Sequence, residues 1–327
     1  MTTNLPEGIN SFLAGAGWGG SVIEPLPGDA SFRRYFRIRA GDGGRSAMLM
    51  DAPPPEEDTG PFLHVGQWLL AHGLRAPEIY AEDGARGFVL MEDFGDTRMR
   101  DHLDIAPHDE LAAYRTAIDA LVALHRLPAG PFEPYDMAVY QREVSLLPEW
   151  FCPAAGIAVD AAGYTAAWDE ALAPLLARQQ PGVTVLRDYH AENIMLLPHG
   201  EQGLIDYQDA LVGHPAYDLV SLLQDARRDV SPELERAMLD HYADRIDAGP
   251  DFAADYARLG AQRNAKIVGI FARLWKRDGK PRYLAMIPRV WEAMECDLAH
   301  PALAPVAAWF DANIPAAIRE RRGGGLG

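Results

Sequence analysis

The sequence predicts an α+β chain of two parts, a small β-rich N-terminal lobe over residues 1–92 and a larger helical C-terminal lobe over residues 93–327. Three observations lead there. Short segments rich in β-branched and aromatic residues cluster in the first ninety residues or so. From Pro107 onward, apolar residues at helical spacing dominate. A chain of 327 residues is also longer than one hydrophobic core usually grows, about 250 to 300 residues.

The N-terminal part reads as a short helix followed by strands. Ser31 to Arg39 is aromatic-rich and partly alternating, with Phe32, Tyr35, Phe36 and Ile38. Arg45 to Met50 is a second strand, and Gly41-Asp42-Gly43-Gly44 between them is a hairpin turn. Pro53-Pro54-Pro55 ends that run. Thr59 to His72 has helical spacing (Phe62, Val65, Trp68, Leu69) and stops at Gly73. Glu78 to Ala81 and Gly87 to Met91 complete a mostly antiparallel sheet. In the C-terminal part, helices are expected over Leu111 to Leu127, Ala161 to Ala177, Tyr217 to Arg227, Pro232 to Ile246, Phe252 to Arg277 and Pro281 to Leu298. Among them lie short β segments, Val183 to Leu186 with Ile194 to Leu197, and Gly203 to Asp206. The tail from Arg319 to Gly327, basic and then glycine-rich, is expected to fray.

Composition excludes several classes. The formal net charge is −17, which argues against nucleic acid as the main partner, because a phosphate backbone calls for a basic face. The two cysteines, Cys152 and Cys296, give neither a disulfide framework nor a metal-ligand pair. Met1 to Asn10 lacks the basic and apolar regions of a secretory leader. No apolar run approaches the roughly 20 residues needed to span a bilayer. A cytoplasmic protein without membrane contact is expected. Nothing in the sequence fixes its oligomeric state.

The chemistry concentrates in Leu186-Arg187-Asp188-Tyr189-His190-Ala191-Glu192-Asn193 and Gly203-Leu204-Ile205-Asp206. An Asp is followed five residues on by an Asn, and thirteen after that by a second Asp. Phosphoryl transfer from ATP needs such a set: one carboxylate to orient and deprotonate the attacking hydroxyl, and oxygen ligands for Mg2+ bridging the phosphates. Asp188 is the candidate base, and Asn193 and Asp206 the candidate metal ligands. A lone Asp in such a loop would be read as a turn or cap; the spacing of all three reverses that reading. His190 is expected to orient the loop rather than to react. Asp218, at the start of a helix, suits capping and would also bond the catalytic-loop backbone. Leu90-Met91-Glu92-Asp93-Phe94-Gly95 leaves a strand for a glycine turn, which makes Met91, Glu92 and Phe94 candidates for the adenine edge. Ser31, Phe32, Arg33 and Arg34, after Gly28, are candidates for covering the phosphates, although no glycine-rich phosphate loop is present. A β-rich lobe, a helical lobe and this motif set together give the protein-kinase-like two-lobe plan.

These motifs resemble the aminoglycoside phosphotransferase and choline kinase superfamily over most of the chain, from the Ser31 loop to the helices past Arg263. Within it, Leu186 to Asn193 and Asp206 to Arg228 are similar to the anomeric N-acetylmuramate/N-acetylglucosamine kinases. The resemblance implies ATP and Mg2+ as cofactors. It implies transfer of the γ-phosphate to the C1 hydroxyl of an amino sugar in peptidoglycan recycling. The roles of base and metal ligands pass to Asp188, Asn193 and Asp206 only. One departure stands out: the superfamily's strand Lys has no counterpart in Ser46 to Asp51, so either Arg33, Arg34 or Arg45 substitutes or the nucleotide is held mainly by Mg2+. On the acceptor side, Arg263, Lys266, Ile270, Arg273 and Arg277 recur at three-four spacing, a basic face in an acidic protein. Arg263, Asn264, Lys266 and Glu143 are the substrate candidates, with the lactyl carboxylate of N-acetylmuramate or the phosphates as the anion met; a solvated helix face is the competing reading. Another alcohol (an aminoglycoside, choline or homoserine-like compound) and a non-catalytic pseudokinase remain as alternatives.

Overall fold

The computed structural model describes residues 5–27, 32–41 and 43–326. Ser31 therefore lies outside the described residues. The chain divides into two compact units. The first is Met1–His102 together with Glu192–Asp209; the second is Leu103–Ala191 together with Ala210–Gly327. The division expected after residue 92 differs by ten residues and by the inclusion of a second, distant segment.

The first unit is built on an antiparallel sheet of five strands. In chain order the elements are α1 (Ile9–Gly15), β1 (Val22–Pro25), β2 (Arg34–Arg39), β3 (Ser46–Asp51), α2 (Gly60–Ala71), β4 (Ile79–Asp83) and β5 (Phe88–Glu92). The spatial order is β1-β2-β3-β5-β4. Period-two patterning sends Phe36 and Ile38 of β2, Ala47 and Leu49 of β3, and Phe88 and Leu90 of β5 to one face. There they form a core with Ile9, Leu13 and Trp18. α2 buries Phe62, Val65 and Leu69. The sequence places β3, β4 and β5 to within a residue or two; β2 starts at Arg34, not Ser31, and β1 was not expected. The second segment of this unit adds a hairpin, Ile194–Leu196 with Gln202–Leu204. It joins the rest through backbone bonds from Leu204 N to Arg75 O at 2.7 Å and from Leu196 N to Thr97 O at 2.8 Å.

The second unit is helical around the long helix Phe252–Lys276, which is buried along most of its length. Gly269 is where it meets the turn at Leu146; a Cβ there would overlap the Leu146 backbone. Helix starts follow their caps: Asp136 accepts from Val139 N, Asp160 from Gly163 N and Ser231 from Leu234 N. Three expectations are corrected. The strand Val183–Val185 pairs with Leu211–Gly213, and Ile194–Leu196 pairs elsewhere. The segment from Pro281 opens as a 3₁₀ turn, and the α-helix proper is Ile287–Leu298, because Pro288 has no N–H to extend it backward. The C-terminal tail is held as far as Gly323: Arg319 pairs with Glu295 at 2.5 Å, Arg322 with Glu292 at 2.7 Å, and Gly323 lies against Trp291. Among the described residues no helix is long and apolar enough to cross a membrane.

Candidate active site

The candidate base is set by the loop that leaves strand Val183–Val185. Arg187 takes a left-handed backbone with φ 70°, which turns the chain sharply before Asp188. Two carboxylates hold this loop. Asp218, in the first turn of helix Ala216–Leu223, is fully buried and accepts from Leu186 N at 2.7 Å and Arg187 N at 2.8 Å. Asp225, just past that helix, accepts from Ala191 N at 3.3 Å and Arg227 N at 2.8 Å. Ser221 Oγ donates to Arg187 O, and Tyr189 Oη donates to Ala117 O. The helix expected to reach Arg227 ends at Leu223, and that early stop frees Asp225 for the loop.

Asp188 itself is half-buried. Burial pushes its carboxyl up, but Lys266, His190, Arg263 and Arg187 outweigh burial and hold it below the ordinary value. It is therefore an ionised carboxylate in a ring of cations. His190 is buried and its pKa is lowered, chiefly by burial; its Nε2 lies 3.4 Å from Arg227 Nη1.

The substrate candidates fall into the same unit, though mostly on one another. Glu143 ion-pairs with Lys266 at 2.8 Å and with Arg187, and accepts from Tyr135 Oη and from Gln262 Nε2 at 3.0 Å. Burial pushes the Glu143 carboxyl up, yet the two cations and their hydrogen bonds bring it down to about 2. Asn264 is fully buried and donates to Gln224 at 2.7 Å, so its amide serves packing between helices. Arg263 is 3 % exposed, and its Nη1 has no hydrogen-bond partner among the described residues. It lies within electrostatic reach of Asp188, Asp218 and His190. The basic stripe is thus buried at Arg263, half-buried at Lys266 and Arg273, and exposed at Arg277, which pairs with Asp278.

The metal-ligand candidates belong to the first unit. Asn193 opens the hairpin and its carbonyl accepts from Ile205 N at 3.1 Å. Asp206 follows the hairpin with φ 62°, a second left-handed, non-glycine residue in the motif. Asn193 Nδ2 donates to Asp206 Oδ2 at 3.2 Å, and Gln208 Nε2 donates to Asp206 Oδ1 at 2.8 Å. The two side chains named from spacing alone are therefore brought together. Tyr207 packs on α2, stacked with Phe62 at 5.0 Å between ring centroids. Its hydroxyl would lie 2.6 Å from a Cβ on Gly66, so only glycine there admits it.

Of the nucleotide candidates, Met91 is buried in β5. Glu92 forms a two-point pair with Arg75 at 2.5 and 2.7 Å, and Phe94 carries the Arg75 guanidinium 4.8 Å from its ring centroid. The Glu92 carboxylate is thus committed to Arg75. Phe32 is 70 % exposed. Arg33 pairs with Glu57 at 3.0 Å, and Arg34 with Asp51 at 2.6 Å. Sequence reasoning did not single out Glu57, Arg75, Gln208 or Asp225. Glu57, Arg75 and Asp225 are common polar residues whose roles come from partners distant in the chain, and Gln208 is a common residue beside Asp206.

Residues 22–259 match the model of the phosphotransferase enzyme family APH. The chain is 38 % identical to the N-acetylmuramate/N-acetylglucosamine kinase of Caulobacter vibrioides, over 94 % of this chain and 96 % of that protein. It is 40 % identical to the protein of the same name from Pseudomonas aeruginosa, over 95 % and 94 %. Among solved structures, choline kinase LicA from Streptococcus pneumoniae superposes with a TM-score of 0.61 at 14 % identity, covering 85 % of this chain and 94 % of that one. The streptomycin–ATP–APH(2'')-IIa ternary complex does so with 0.61 at 14 %, covering 92 % and 98 %. These two share the fold.

Proposed function

The chain belongs to the phosphotransferase enzyme family, and from that premise we propose that it transfers the γ-phosphoryl group of ATP to the anomeric C1 hydroxyl of N-acetylmuramate and N-acetylglucosamine. The observation that carries this reading is the likeness, at 36 % to 40 % identity over 80 % or more of the chain, to four proteins named N-acetylmuramate/N-acetylglucosamine kinase. The loop that holds Asp188 and the Asn193–Asp206 pair supports it.

In this reading Asp188 accepts a hydrogen bond from the C1 hydroxyl and takes its proton as the oxygen bonds to the γ-phosphorus and the bond to ADP breaks. Positioning supplies much of the rate, and the double hold of Asp218 and Asp225 on the loop serves that. Asn193 and Asp206 fit Mg2+. Together they offer one amide and one carboxylate, and no cluster of three His, Cys, Asp or Glu forms a cage among the described residues. Mg2+ characteristically takes one or two carboxylates and fills its shell with phosphate oxygens and water. When bound, it offsets charge on the phosphates.

Arg263 is too deeply buried to be read as a solvated face. We assign it to support of Asp188 rather than to the lactyl carboxylate of N-acetylmuramate. Arg263→Gln should then lower turnover with N-acetylmuramate and N-acetylglucosamine to the same extent, read as kcat/KM for each. A loss confined to N-acetylmuramate would return Arg263 to the carboxylate.

The direct test of the function is Mg2+-dependent ADP release with the two amino sugars, an aminoglycoside, choline and homoserine, followed by phosphorus NMR of the product. Release with the amino sugars and a phosphorus signal coupled to the anomeric proton is the expected result. Turnover only with another alcohol would overturn the acceptor while keeping the family.

A further inference from the structure

The strand that should carry a phosphate-binding lysine has none: β3 reads Ser46-Ala47-Met48-Leu49-Met50-Asp51. In protein kinases that lysine is held by a glutamate and works beside the aspartate that binds metal. Three arginines lie near enough in sequence to take its place, and the first unit separates them. Arg45 lies over the Trp18 ring at 4.3 Å and donates to Gly17 O, at the α1 end of the sheet. Arg34 sits across the β2–β3 ladder from Asp51 and pairs with it, its side chain 44 % exposed. Arg33 differs from both. Its side chain is 14 % exposed, its Nε donates to Glu57 at 3.0 Å, and it feels the charge of Asp206. Tyr35 stands in the same field, acted on by Arg33, Asp206 and Glu57 alike. Arg33, Glu57 and Asp206 thus reproduce within one unit the cation, its carboxylate brace and the metal-binding carboxylate.

We propose that Arg33, braced by Glu57, is the residue that binds the nucleotide phosphates in place of the strand lysine. The proposal rests on the kinase reading and names a residue for it. A guanidinium suits the task, since its planar fork matches phosphate oxygens at two points where an ammonium offers one charge. Glu57 fixes the fork's direction and keeps a buried cation paired before the nucleotide arrives. Arg33 approaches from the start of β2, not from β3, so its reach is supplied by its length and by the brace.

The test measures binding of ADP and of adenosine to the full chain by calorimetry, with Mg2+ present. Arg33→Gln should weaken ADP by about 10- to 100-fold, the scale of hydrogen bonds to a charged group, and leave adenosine unchanged. Retained adenosine binding also shows that the variant is folded. Arg33→Lys should fall between, since it keeps the charge and loses the fork. Arg39→Gln, which breaks only the exposed pair with Glu24, serves as the control and should bind ADP as the wild type does. Unchanged ADP binding by Arg33→Gln would overturn the proposal, and so would an equal loss of ADP and adenosine. If the wild type binds no ADP, the kinase reading and this one fall together. If it binds ADP but phosphorylates no amino sugar, only the acceptor reading falls.

Discussion

Asp188→Asn should lower kcat by about 10²- to 10⁴-fold, the range in which a positioned general base contributes, with KM for ATP and for the sugar little changed. The substitution keeps the shape of the side chain and removes the charge and the basic oxygen together. The loop should survive, because Asp218 and Asp225 hold its backbone through atoms the substitution does not touch. The cations around Asp188 hold its carboxyl below the ordinary value, near 4 for an aspartate. It is therefore ionised throughout the neutral range, and no acid limb between about pH 5 and 8 should come from it. The measurement is the pH profile of kcat for wild type and variant. Wild-type turnover in the variant would remove Asp188 from the role of base; a large rise in KM without loss of kcat would make it a binding residue.

Glu143→Gln should cost about 3–5 kcal/mol of stability, the scale for removing one partner of a buried ion pair. Glu143 pairs with both Lys266 and Arg187, and all three are largely shielded from water. A glutamine would fit the volume and leave two cations short of their counter-charge. The pH dependence fixes the cause. The folded carboxyl lies at about 2, below the unfolded value of about 4.3. Its contribution is therefore complete above the unfolded value and is lost as pH falls from there through 2. Urea unfolding at pH 7 and pH 3 should show the gap between wild type and variant narrowing at the lower pH. A gap that stays constant would trace the loss to packing and not to charge.

The sequence made the β2, β3 and β5 strands legible because their alternation feeds one core, and long helices such as Glu110–His125, Ala161–Arg178 and Phe252–Lys276 because their apolar spacing is sustained; the shorter Met137–Val144 and Ala304–Asn313 were not expected. Asp188, Asn193 and Asp206 are proposed from their spacing, and to that spacing the structure adds the contact between Asn193 and Asp206. Other features were not. Strands of three residues have no period to read, so nothing local told Val183–Val185 to pair with Leu211–Gly213. Three-four spacing put Arg263 and Lys266 on one helix face but says nothing of whether that face meets water. At Lys266 the face meets Glu143, more than a hundred residues earlier in the chain. Arg33 stood among three equal candidates until Glu57 and Asp206 singled it out.

The unit that carries Arg33, Asn193 and Asp206 is written in two separate stretches of the gene. Its first stretch ends at His102; its second begins at Glu192, after all of Leu103–Ala191. At roughly 5–20 residues per second, a ribosome takes several seconds to cover that gap. During the wait, Arg75 O and Thr97 O lack the N–H groups of Leu204 and Leu196, and the Phe94 ring lacks the Gly203 surface it will cover. The unit translated first is not complete until Asp209 has been made, long after translation of the second unit has begun. Cutting the gene after His102 would not release a self-sufficient module, and exchanging this half between relatives would require transplanting both stretches at once.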